Sequence, residues 1–167
     1  MPDNFLIGAA ATIAAVVVGG GMQALQQRSV QRAQRSQLAA DRLWSARREA
    51  YTEFLIAFND AAHVAGSLAP RPGRAVPSGD EAREVADYHF DRTVTPARRA
   101  LELVATADAR RLAGDATDAL GRFRDRMTHP KLPAPEYRSE EYEAAYQPAR
   151  EARRRFEIQA VEDLKAL

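Results

Sequence analysis

The sequence predicts an all-α protein: a single N-terminal transmembrane helix continuing into a stalk and an antiparallel four-helix bundle. Three observations carry this reading. Phe5 to Met22 contains no charged residue and Thr12 is its sole hydroxyl. Apolar residues beyond Asp41 recur at spacings of three and four, the period of a helix buried on one face. Val and Ile are sparse after residue 18, and the alternating runs expected of strands are missing. Three regions follow: an anchor at 1–22, a basic Gln/Arg-rich stalk at 23–42 and a bundle domain at 43–167.

The eighteen residues of the apolar run would span roughly 27 Å as a helix, close to the hydrocarbon thickness of a bilayer. A helix is also the single-segment solution that satisfies its own backbone in lipid. Gly19, Gly20 and Gly21 fall at its inner end, where they loosen helical structure. A cleaved signal peptide is the first rival, and a buried apolar helix the second. A signal peptide ordinarily carries a basic leading segment, whereas the residues before Phe5 hold Asp3 and no Lys or Arg. Arg28, Arg32 and Arg35 follow the run, with no acid between Asp3 and Asp41. By the positive-inside rule the C-terminal domain is expected in the cytoplasm and the N-terminus outside, in a single-pass cell-membrane protein. The same arginines lie on one helical face within reach of anionic headgroups, although ordinary topology charges on a solvated stalk explain them equally well.

Net charge is +1, from 24 basic and 23 acidic side chains, so nothing global favours nucleic acid as a partner. All the basic residues except Lys131 and Lys165 are arginine. The absence of cysteine removes disulfides, thiol nucleophiles and Cys-ligated zinc.

The first helix is expected to run from the membrane through the stalk and into the bundle. There Leu43, Ala50, Phe54, Ala57, Ala61 and Val64 form a stripe widened by Trp44, Tyr51, Leu55 and Phe58. The core is expected to start near Leu43, with Trp44 as a core or junction residue. A Pro-bearing loop, 66–79, precedes a second helix over about 80–105, with Ser78 and Glu81 as its capping box. Pro96 marks a kink or restart in that helix, with Thr95 as a possible cap. A third helix, about 108–128, buries Leu112, Ala116, Ala119, Leu120, Phe123 and Met127. Ser139 with Glu140 and Glu141 starts the last helix, kinked or restarted at Pro148. Its stripe is Ala149, Ala152, Phe156, Ala160 and Leu164.

No catalytic fingerprint, P-loop or dinucleotide motif occurs, so no catalytic, cofactor-binding or metal-binding residue is assigned and no cofactor is expected. The best metal candidate, Glu84, Asp87, His89 and Asp91, fails on spacing, because His89 points away from the face Asp87 and Asp91 share. A solvated acidic face is the simpler account. Gly73 to Gly79 has P-loop-like glycine spacing without the Lys and Ser/Thr that bind phosphate. Pro130-Lys131-Leu132-Pro133 fits a polyproline docking pattern, but a stiff connector explains it as well. Arg153, Arg154 and Arg155 are a candidate interaction patch, with a solvated helix face as the alternative.

Two segments resemble a broad group of uncharacterised, membrane-anchored helical proteins of actinobacteria. One is Arg47-Arg48-Glu49-Ala50-Tyr51-Thr52-Glu53-Phe54-Leu55; the other is Arg153-Arg154-Arg155-Phe156-Glu157-Ile158-Gln159-Ala160. The resemblance implies the anchored helical fold and the location, and brings no activity with it. The expected role is a non-enzymatic scaffold or interaction module whose partners are the lipid bilayer and a protein or a second copy of itself. Small-residue pairs Ala10/Ala14 and Ala11/Ala15 would permit close packing of anchors. The alternatives are an oligomerising membrane-active or stress/defence effector, a sensor bundle facing outward and, least favoured, a metal-binding or enzymatic bundle.

Overall fold

The computed structural model describes residues 3–73 and 79–166, with the backbone alone described for 3–29, 33 and 79. Among the described residues the helical elements are α1 (Asp3–Ser67), α2 (Gly79–His89), a π turn (Phe90–Val94), α3 (Thr95–Val104), α4 (Ala107–Met127) and α5 (Glu140–Lys165). The chain falls into two compact units, residues 1–42 and 43–167.

In the first unit the described side chains from Val30 onward are all exposed. Among the described residues, no helix is long and apolar enough to cross a membrane. The apolar run 5–22 has its side chains outside the described residues, as does Arg28.

The second unit is a four-rod bundle with α2, the π turn and α3 as one rod. Neighbouring rods run antiparallel, as contacts at both ends establish. Trp44 and Tyr51, early in the bundle portion of α1, meet Leu164 and Asp163 near the end of α5. Gly66, at the end of α1, meets Tyr142 at the start of α5. Arg124, late in α4, reaches Asp87 in α2, while Arg110, early in α4, reaches the Glu102 carbonyl in α3.

The core consists largely of alanine with a few large knobs. Phe54, Phe58, Phe123 and Phe156 are fully buried. Alanines 109, 113, 116 and 119 of α4 and 149, 152 and 160 of α5 are buried around them. Small residues let helices approach closely, and the interaxial distance falls with side-chain size. The phenylalanines then fill the remaining interior in edge-on contacts, such as Phe54–Phe156 at 4.8 Å between ring centroids.

The predicted stripe of α4 is buried throughout, and so are Ala149, Ala152, Phe156 and Ala160 of α5. The core, however, starts at Ala50 rather than Leu43. Leu43 and Trp44 are each 37% exposed, because they lie at the end of the bundle where the surrounding helices are finishing.

The two prolines are accommodated in different ways. Thr95 does not cap a restarted helix: its backbone is helical and its N–H donates to Phe90 O, the i−5 register of a π turn. A proline in an α-helix lacks the donor and collides with the carbonyl four residues back. The wider π turn immediately before Pro96 absorbs both defects while the rod continues. Pro148 likewise lies inside an unbroken α5, on the exposed face. Ser139 caps α5 as expected, accepting from Tyr142 N–H at 3.1 Å. Ser78, the other expected cap, lies outside the described residues.

Candidate functional site

Of the basic residues singled out beside the apolar run, Arg32 and Arg35 stand exposed on α1. The Arg153–Arg155 run does not form one patch, since consecutive helical residues point about 100° apart. Arg153 is half-buried, paired to Glu157 at 3.4 Å, while Arg154 and Arg155 are exposed. Arg154 instead shares an outer strip of α5 with the exposed Ile158, Val161 and Lys165.

In the acidic segment, Asp87 faces Arg83 at 3.7 Å and Arg124 at 3.3 Å. Among the described residues, no group of three potential ligands could hold a metal ion. The Pro130–Pro133 segment is exposed but bent, with Lys131 N–H donating to His129 Nδ1 at 3.2 Å, so it departs from the extended form polyproline docking requires.

One functional-looking carboxylate escaped the sequence reading. Asp163 is buried, at 7% exposure, inside the bundle. Its Oδ2 accepts from Tyr51 Oη and from Thr106 Oγ1, both at 2.6 Å, and its Oδ1 accepts from Gln159 Nε2 at 2.8 Å. Burial alone would push its pKa up. The hydrogen bonds from Thr106, Tyr51 and Gln159, with the charge of Arg47, outweigh burial and hold the carboxyl below its usual range. Burial and the adjoining carboxylate push the Tyr51 phenol up to about 12.

The bonds around Asp163 lie among contacts that close helix ends. Thr106 is also the N-cap of α4, accepting from Ala109 N–H at 3.3 Å. Arg47 Nε donates to Val104 O at 2.7 Å and Trp44 Nε1 to Leu164 O at 3.2 Å. Both acceptors lie in last turns, where carbonyls lack intrahelical partners and the helix dipole favours a cation. Neighbouring α1 residues thus close the C-termini of α3 and α5, and Asp163 ties α5 to α1 and α4. The arrangement has the chemistry of a clamp: both carboxylate oxygens accept hydrogen bonds, and those bonds favour the charged form.

The opposite end of the bundle holds a more open arrangement. Asn59, His63 and Gly66 of α1, Arg71 of the following loop, Tyr137 and, from α5, Tyr142 and Tyr146 line a pocket of about 330 Å³. The Arg71 guanidinium lies 3.8 Å over the Tyr137 ring. Tyr142 sits between Phe123, Tyr137 and Tyr146, with ring centroids 5.3–6.3 Å away. Its phenol is pushed up, chiefly by burial. A side chain at Gly66 would force Tyr142 to shift, since a Cβ there would lie 2.6 Å from the Tyr142 hydroxyl.

A larger cleft of about 550 Å³ between α3 and α4 carries Arg98, Arg99, Arg122 and Arg124 together with Glu102, Asp118 and Asp125. Its charges are mixed, and Arg124 is already engaged by Asp87 and Asp125.

No family model matches the chain, and no curated protein or solved structure matches it. The two segments on which the sequence resemblance rests meet in the fold: Tyr51 and Phe54 pack on Phe156, at 5.7 and 4.8 Å between centroids.

Proposed function

We propose that this chain is a membrane-tethered, non-catalytic helical interaction module, of the kind the actinobacterial resemblance implies, with the bundle on the cytoplasmic side. The apolar run 5–22 is the tether, residues 23–42 the spacer and 43–167 the module. The observation that carries the reading is the stalk. From Val30 to Ser45, every described side chain on α1 is exposed. A helix that is polar nearly all round and exposed along its described length serves as a bridge between what it joins. The apolar run before it supplies a membrane anchor, and the arginines after it supply the orientation.

The Asp163 clamp, with both oxygens engaged by side chains of its own chain, supports a structural rather than catalytic use of the buried charge. The outer strip of α5, with Arg154, Ile158, Val161 and Lys165, and the stalk itself are the surfaces through which a protein or a second copy would be met. The test is fractionation and reporter fusion of the full chain. A C-terminal reporter active in the cytoplasm, with the protein in the membrane fraction after carbonate washing, is expected. Release of the chain by carbonate would end the tether reading, and an externally active C-terminal reporter would invert the orientation.

A further inference from the structure

We propose that the pocket around Arg71 and Tyr142 binds a small organic oxyanion, a carboxylate or a phosphate monoester. The inference does not depend on the membrane tether.

Three features point to this ligand chemistry. The first is an uncompensated cation. Arg71 makes no ion pair among the described residues, and its buried Nε has no hydrogen-bond partner there. A buried donor left unmet is unfavourable, so the arginine is poised for an acceptor. The second is preorganisation. Stacking on Tyr137 at 3.8 Å holds the guanidinium against the ring, and the planar fork of an arginine matches a carboxylate or phosphate with two parallel bonds. Arg138 lies 5.3 Å from the same ring and adds a second positive charge.

The third feature is the lining. It contains no acid, and Asn59, His63 and the tyrosine hydroxyls supply further hydrogen-bonding groups. The acid next to Tyr142 in the chain, Glu143, is paired with Arg150 at 3.1 Å. The mixed cleft between α3 and α4 lacks this imbalance. A volume of about 330 Å³ is at the small end of ligand pockets, which run from about 300 to 1,000 Å³. The rings of Tyr137, Tyr142 and Tyr146 offer edges and faces to a small flat body carrying the oxyanion.

The experiment is calorimetric titration of the full chain in neutral detergent with phenyl phosphate, benzoate and, as a neutral control, benzyl alcohol. Saturable binding of phenyl phosphate, benzoate or both, with no binding of benzyl alcohol, is expected. Which of the two binds identifies the phosphate or carboxylate source. Arg71→Gln should weaken binding by roughly tenfold or more, the worth of a charged hydrogen bond. Asn59→Asp, at an exposed position, should weaken it comparably by placing a negative charge in the lining, and it decides the matter if Arg71→Gln fails to fold. Absence of saturable binding by both anions, equal binding of benzyl alcohol, or affinity unchanged in the folded variants would overturn the proposal.

Discussion

The Tyr51 hydroxyl donates to the Asp163 carboxylate at 2.6 Å across 112 residues of sequence, and both side chains are buried. The bond joins α1 to α5 at the point where Thr106 ties in the start of α4. Removing the acceptor strands two hydroxyl donors at once. Asp163→Ala should therefore destabilise the bundle by about 3 kcal/mol and Tyr51→Phe by about 2 kcal/mol, from the usual worth of hydrogen bonds to a charged group. Chemical denaturation of the full chain in detergent measures both. A double variant that loses the sum of the two single effects would show that the residues do not act through one another.

The same pair sets the pH dependence. The carboxyl of Asp163 has a lower pKa folded than its ordinary 3.8, so its stabilisation is fully present above that ordinary value. It is lost as pH falls through the folded value. Tyr51 has the opposite sense: its pKa rises from 10.0 to about 12, so its contribution is complete below pH 10.0 and declines as pH climbs toward 12. Melting temperature against pH should fall at both extremes, and Tyr51→Phe should flatten the alkaline limb.

Gly66 and Tyr142 give a prediction whose sign reverses. Gly66→Ala in the wild-type background places a methyl 2.6 Å from the Tyr142 hydroxyl, and overpacking of this kind costs about 1–3 kcal/mol. The next nearest atom, Tyr142 Cζ, is at an ordinary 3.8 Å. In a Tyr142→Phe background the clash is gone, and the better helix propensity of alanine, up to about 1 kcal/mol, should make Gly66→Ala neutral or stabilising. Thermal melts of the four proteins suffice. Destabilisation of equal size in both backgrounds would contradict the close approach.

Phe156 and Ile158 stand two residues apart on α5 and should behave oppositely. Phe156 is fully buried between Tyr51 and Phe54, so Phe156→Ala should cost about 3–5 kcal/mol. Ile158 is 53% exposed, and Ile158→Ala should stay within about 0.5 kcal/mol of wild type. If the outer strip of α5 engages a second copy, Ile158→Ala will instead weaken self-association without changing the melting of the dissociated chain, as analytical ultracentrifugation would show.

Much of the bundle was legible because helical period and burial are linked by geometry. Leu112, Ala116, Leu120 and Phe123 had to share a face, and the fold buries that face. The Ser139 cap was equally local, since a hydroxyl followed by acids satisfies the first turn whatever surrounds it. Asp163 was not legible. It lies beside Leu164 in a polar stretch, and its partners Tyr51 and Thr106 are 112 and 57 residues distant. The π turn was hidden too. Pro96 announces a defect, but whether the rod breaks or widens depends on what packs along it.

The sequence by itself determined the helical class, the apolar run at 5–22, the basic stalk and the inward faces of α4 and α5, because each depends on residues within a turn or two of one another. Only the tertiary structure decided that Asp163 is a hydrogen-bonded clamp, that a side chain at Gly66 would crowd the Tyr142 hydroxyl and that Arg71 has no ion pair among the described residues. The physical reason is the same in all three. Hydrogen bonds, close approaches and unpaired charges depend on which atoms are neighbours in space, and packing four rods antiparallel brings together residues that the chain keeps far apart.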